Sequence, residues 1–170
     1  IINGVGTFTE LDGSTYTGDW QLGKRHGQGT QTDSTGQTYT GNFKNDAFNG
    51  EGTFVFANSD TYVGSFTDGV KSGEGTLEYA NGDEYIGPFM DGMRSGTGTF
   101  TYSNGDQYFG GFKQNEQYGE GILSYANGDK YVGFFQAGKP NGQGRLELAA
   151  SGNVYEGTYK DGLFDGEGTY

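Results

Sequence analysis

The chain has 170 residues, 35 of them glycine and none cysteine, and its 22 acidic against 10 basic side chains give a formal net charge of −12 and a pI near 4.2. The lack of cysteine excludes disulfides and thiolate metal sites, and the acidic balance argues against nucleic acid and weakens attraction to anionic bilayers. Only 31% of residues are hydrophobic, too few for a thick globular core, no run approaches the roughly 18 apolar residues of a membrane span, and no signal peptide is visible at Ile1.

The first predicted element is half a repeat over 4–15, carrying Gly4, Gly6 and Phe8. Full copies then start at Tyr16, Tyr39, Tyr62, Tyr85, Tyr108, Tyr131 and Tyr155, 23 residues apart five times and then 24, with the last copy cut short. A fixed period of this kind predicts stacked supersecondary units in one array over 1–170. The chain opens in the second strand of one repeat and stops inside another, so open strand edges are expected to pair with further repeats or a second copy.

Within a copy, two strands are predicted. The first carries an aromatic at +0 and another at +4 (Trp20, Phe43, Phe66, Phe89, Phe112, Phe135, Tyr159), with glycine between them at +2. The second carries glycines at +11 and +13 and large apolar residues at +15 and +17. Side chains alternate along a strand, so these positions should share one face. Of 27 aromatics, 14 lie at +0 or +4 and eight at +15 or +17, while Phe48, Phe109, Tyr118, Phe134 and Phe164 fall elsewhere. The opposite face reads as small and polar, with Thr30, Thr53, Thr76 and Thr99 at +14 and Gln28, Glu51, Glu74 and Glu120 at +12.

Glycine at +7 gives way only to Asp46 and Asn115, which marks a left-handed turn position. The second turn holds Ala80-Asn81-Gly82 and its equivalents. A two-residue turn there would throw Tyr79 and Tyr85 onto opposite faces, so an odd-length loop with glycine in a bulge is expected. Glycines at +2, +11 and +13 are expected to let neighbouring rings lie flat across them. Each ring buries ~150–250 Å², which outweighs the roughly 0.5–1 kcal/mol that a strand glycine costs.

Chemical motifs are sparse. His26 is the only histidine, with nothing to organise a catalytic triad around it. The recurrent Gly-x-Gly is followed by no helix and no glycine-lysine-serine, so it is not a phosphate loop. Asp60, Asp83, Asp106 and Asp129 supply one carboxylate per repeat, a poor calcium cage and ordinary turn chemistry. Stacked aromatics also leave carbohydrate binding open, although Trp20 is the only tryptophan. No catalytic, metal or cofactor site is expected.

The Tyr-x-Gly-x-Phe/Trp, then Gly, then Gly-x-Gly pattern resembles the MORN (membrane occupation and recognition nexus) repeat along essentially the whole chain. The resemblance implies an all-β fold, an elongated, twisted, single-layer antiparallel meander of hairpin repeats with an aromatic-lined groove. It further implies a non-catalytic scaffold that takes a partner helix, an extended peptide or another copy, with a phospholipid-binding module or the regulatory region of a larger enzyme as alternatives. Such a protein is expected in the cytoplasm, at a membrane or the cytoskeleton. The groove residues expected to meet a partner are Tyr62, Phe66, Tyr85, Phe89, Tyr108, Phe112, Tyr131 and Phe135. Eight of the ten basic residues lie at +5 to +9 among five acids, a net of +3. Lys24, Arg25, Lys71, Arg94 and Lys139 are the expected rim for a charged partner or lipid.

Overall fold

The computed structural model describes residues 2–169. The chain packs as two compact units: one gathers everything up to Ala80 with Phe89–Gly92, the other Asn81–Pro88 and everything from Met93 onward. The first unit contains β1 (Gly4–Thr9), β2 (Thr15–Gln21), β3 (Lys24–Thr32), β4 (Thr38–Lys44), β5 (Ala47–Val55), β6 (Thr61–Thr67) and β7 (Val70–Glu78). The second is built on β8 (Glu84–Met90), β9 (Met93–Arg94), β10 (Gly96–Thr101), β11 (Gln107–Lys113), β12 (Glu116–Ser124), β13 (Lys130–Gln136), β14 (Lys139–Glu147), β15 (Val154–Lys160) and β16 (Leu163–Thr169). Within each unit the strands pair antiparallel, and apart from the short β9 they follow chain order. Among the described residues there is no helix, so none is long and apolar enough to cross a membrane.

Five of the seven repeats are a seven-residue strand, a tight turn and a nine-residue strand; in the repeat at Tyr85 the second strand is split into β9 and β10, and in the last repeat it spans Leu163–Thr169. In the β4–β5 hairpin the turn is Asn45-Asp46, with φ of 51° and 74°. Both central residues are left-handed, as a type I′ turn requires. The sequence shows this at +7; the residue before it is left-handed too, but is held by Leu22, Asp68, Asp91 and Ala137, which carry no such signature. The second turn matches the expected odd-length loop, with three residues in Ser103-Asn104-Gly105. Tyr102 N–H donates to the Asp106 carbonyl at 2.9 Å, Gly105 N–H donates to the Tyr102 carbonyl at 2.9 Å, and Gly105 has φ of 92°. The register Phe100↔Tyr108 then sets Tyr102 on the same face as Tyr108, and Phe54↔Tyr62 does so for Phe56 and Tyr62 in the first unit.

The glycine expectation holds at +2 and +13 and fails at +11. The Tyr62 ring lies across Gly64 and Gly75, where an added Cβ would sit 2.6 Å and 2.5 Å from the phenol oxygen. Tyr108 lies likewise across Gly110 and Gly121, at 2.5 Å and 2.6 Å. Gly119, at +11, sits instead in a bulge where Tyr118-Gly119-Glu120 oppose Gly111 alone, with φ of 78°. In other repeats the missing Cβ at +11 would point at the +3 side chain of the opposite face: Asn42 for Gly50, Phe134 for Gly142. Left-handed backbone in the bulge takes +11 out of the alternation.

The core is one row of rings per unit. Tyr39 and Tyr62 are 1% and 0% exposed, and Tyr108 and Tyr131 are 0% and 1%. Each phenol donates to the carbonyl three residues on, at 2.9 Å for Tyr39 to Asn42 and 3.0 Å for Tyr108 to Gly111. Successive rings meet edge to face, for example Tyr16–Phe43 at 4.9 Å and Tyr108–Phe135 at 4.8 Å. Edge-to-face pairs add about 0.5–1.5 kcal/mol beyond area burial.

Candidate functional site

The eight rings expected to line a groove are the most enclosed side chains of their repeats. Tyr62, Phe66, Tyr85, Phe89, Tyr108, Phe112, Tyr131 and Phe135 are all between 0% and 5% exposed. They hold the sheet together, and as placed they offer a partner almost no surface. Burial also holds the Tyr39, Tyr62, Tyr108 and Tyr131 hydroxyls protonated, with pKa pushed up to about 12.

The cations expected to form a rim divide into two groups. Lys24 and Lys139 are exposed at strand starts. Arg25, Lys71 and Arg94, at +9, lie over the rings instead. The Arg25 guanidinium carbon is 5.8 Å from the Phe43 centroid, the Lys71 ammonium 5.5 Å from Tyr62 and 5.2 Å from Phe89, and the Arg94 guanidinium 5.1 Å from Phe100 and 5.5 Å from Phe112. These are cation–π distances. The same position holds Phe48, stacked on Tyr39 at 3.9 Å, and Phe164, 4.0 Å from Tyr155. Position +9 therefore roofs the ring row, and two aromatics outside the regular columns belong to that roof.

What remains reachable on the aromatic side is a second tier at the strand ends. In the first unit Phe48, Phe54 and Phe56 are half-buried. With Phe66, Val70 and Lys71 they line a concavity of about 250 Å³, and the Lys71 ammonium stands 5.5 Å from the Phe56 ring. In the second unit Tyr102 and Tyr125 occupy the same tier, half-buried, with phenol pKa values raised by desolvation. Tyr102 accepts a 2.8 Å hydrogen bond from the buried Gln117 amide.

The opposite face departs from the small, polar surface expected of it. In the first unit it does carry threonines, in cross-strand pairs such as Thr7–Thr17 at 2.9 Å and Thr30–Thr40 at 3.1 Å. In the second unit the corresponding row reads Ile86, Thr99, Phe109, Ile122 and Val132 across successive strands. Ile86, Phe109 and Val132 are 49%, 52% and 41% exposed, and Phe134 beside them is 46% exposed. Phe109, Ile122, Val132 and Phe134 border a concavity of about 550 Å³ whose floor includes Gly110 and Gly111. Its signal in the sequence is the irregularity itself: Phe109 and Phe134 break the aromatic columns.

The remaining chemistry is structural. Asp106 accepts the Ala126 N–H at 2.8 Å and the Asn104 side chain at 3.0 Å, tying one loop to the next. Asp60 and Asp129 do the same for Ala80 and Ala149. Backbone and side-chain donors from Ser103 and Asn81 hold the Asp83 carboxyl below the usual carboxylate range. No cluster of three or more potential metal ligands occurs among the described residues. His26 is half-buried, and its Nδ1 meets no hydrogen-bond partner there, so nothing orients it as a base.

Fold and site together define a hairpin-repeat array with a ring-filled interior. The MORN repeat profile matches residues 16–38, 39–61, 62–84, 85–107, 108–130, 131–150 and 155–170, and the chain belongs to the MORN repeat family. A sequence search of curated proteins gave no match. Among solved structures, the chain is similar to the Drosophila melanogaster SAS-4 (dCPAP) TCP domain, solved with a proline-rich motif of Ana2, at 16% identity over 91% of this chain and 90% of that one, TM-score 0.45. It is also similar to the Danio rerio CPAP TCP10 domain, at 12% identity over 90% and 83%, TM-score 0.35. The CPAP G-box domain matches at 13% identity over 98% and 99%, TM-score 0.33. Identity and superposition are both too low for these likenesses to speak to function.

Proposed function

We propose that the chain is a non-catalytic protein-interaction module that takes a partner segment on the aromatic side of its repeats. The observation carrying this reading is the concavity beside Phe54, Phe56, Val70 and Lys71, walled by ring edges and one ammonium group. Rigid aromatic walls are where interfaces concentrate their binding energy, and about 250 Å³ accommodates one or two apolar side chains of a peptide or helix. The enclosed rows of Tyr62 and Tyr108 are the scaffold that holds this second tier in place. An anionic lipid surface is disfavoured by the charge of −12 and by the diversion of Arg25, Lys71 and Arg94 onto rings. His26 without an orienting partner gives catalysis no support.

The test is a peptide-display selection on the whole chain, followed by photo-crosslinking of the selected peptides. Crosslinks should fall on Phe56, Val70 and Lys71. Phe56→Ala combined with Val70→Ala should weaken binding about tenfold or more while leaving the far-ultraviolet circular dichroism intact. Selected peptides that crosslink elsewhere and ignore this double variant would overturn the reading.

A further inference from the structure

We infer a second docking surface, on the face opposite the aromatic side, that takes a basic segment of another protein with large apolar anchors. The internal comparison carries the argument. At +1 the first two repeats hold Thr17 and Thr40, the next four hold Val63, Ile86, Phe109 and Val132, and the last holds Glu156. At +14, Thr30 and Thr53 are replaced by Ile122. Threonine suits an exposed strand position, so the fold does not require these hydrophobic residues. Desolvating them also does nothing for the core, because they project from the far face and stay 41–52% exposed at Ile86, Phe109 and Val132. Register brings Phe109 opposite Ile122 and Ile122 opposite Val132, with Ile86 one strand further on across Thr99. Small residues at Gly110 and Gly111 keep the floor of the concavity open.

The occupant follows from charge. On this face the strands of the second unit carry Glu84, Glu116, Glu120, Glu147, Glu156, Asp165 and Glu167 against Lys113, Lys130, Lys139, Arg145 and Lys160, seven acids to five bases, a net of −2. Arg145 is already engaged by Glu147 at 2.9 Å and Glu156 at 3.1 Å. Glu120, which borders the concavity, makes no ion pair among the described residues. A second copy of a chain of charge −12 would be repelled, as would an anionic membrane. A cationic peptide with aliphatic or aromatic anchors satisfies both the apolar floor and the acidic border.

The experiment measures fluorescence anisotropy of a synthetic peptide alternating lysine with leucine or phenylalanine, beside a twin with glutamate in place of lysine. The lysine peptide should bind, more weakly as salt rises, and the glutamate twin should not. Ile86→Thr/Phe109→Thr/Val132→Thr restores the residue type of the first two repeats. It should leave the melting temperature unchanged and weaken the lysine peptide roughly thirtyfold. Glu120→Lys should weaken it as well, while Phe56→Ala should not, which separates this surface from the aromatic-side site. Equal binding of both peptides, or binding indifferent to the triple variant, overturns the inference. So does a dimer in light scattering, or capture by phosphatidylcholine–phosphatidylserine vesicles, that the triple variant abolishes.

Discussion

The unit of stability in this protein is a tyrosine lying on two glycines. Tyr108 needs Gly110 and Gly121 bare because an added methyl at either would come within 2.6 Å of the phenol oxygen. Gly121→Ala should therefore push the ring off its carbonyl and destabilise by about 1–3 kcal/mol, visible as a lowered denaturation midpoint. Tyr108→Phe should lose only the hydrogen bond to Gly111, about 0.5–1.5 kcal/mol. The buried phenols also set an alkaline limit. Their folded pKa of about 12 lies above the ordinary value of 10.0. The folded state thus keeps protons that the unfolded chain has released, and stability falls as pH rises from about 10 toward 12. A urea midpoint that stays constant across that window would show that the phenols are open to water.

At the scale of the hairpin, each repeat is closed by a left-handed two-residue turn, and Asp60, Asp83, Asp106 and Asp129 each hook one loop to the next. Asp106 bridges its own loop to Ala126, so Asp106→Ala leaves that amide unpaired and should cost on the order of 1 kcal/mol. Asp83 is held below the usual carboxylate range, so its contribution is present above the unfolded value and is lost as pH falls through the lowered one. Acid below the ordinary carboxylate value of 3.8 should loosen Asp83→Asn less than the parent chain, as read by thermal melting from neutral pH down through that window. These elements were legible in the sequence because glycine, asparagine and aspartate recur at fixed positions. The bulge at +11 was not. A period-two reading treats every strand residue as alternating, and only the register shows three residues, Tyr118 to Glu120, facing one.

At the scale of the molecule, the repeat pattern disclosed the interior and concealed the exterior. Regularity belongs to the rings at +0 and +4, because every copy must pack the same way. They were therefore easy to find and easy to mistake for a binding surface, although Tyr85 and Tyr108 are 0% exposed. The cations at +9 read as a rim in the sequence, yet long side chains fold their charges onto aromatic faces. The second docking surface proposed above uses positions free to deviate, such as Phe109 and Phe134, whose departure from the columns is their mark in the sequence. The charge of −12 gives a further expectation: the chain should stay in solution when floated with phosphatidylserine vesicles at physiological salt.

Hydroxyl-radical footprinting read by mass spectrometry tests the division between enclosed rings and presented ones in a single measurement. Phe109, Tyr118 and Phe134 should oxidise readily, while Tyr85, Tyr108, Phe112, Tyr131 and Phe135 stay protected until the chain unfolds. Oxidation of Tyr85 and Tyr108 at the rate of Tyr118 in the folded protein would contradict the account.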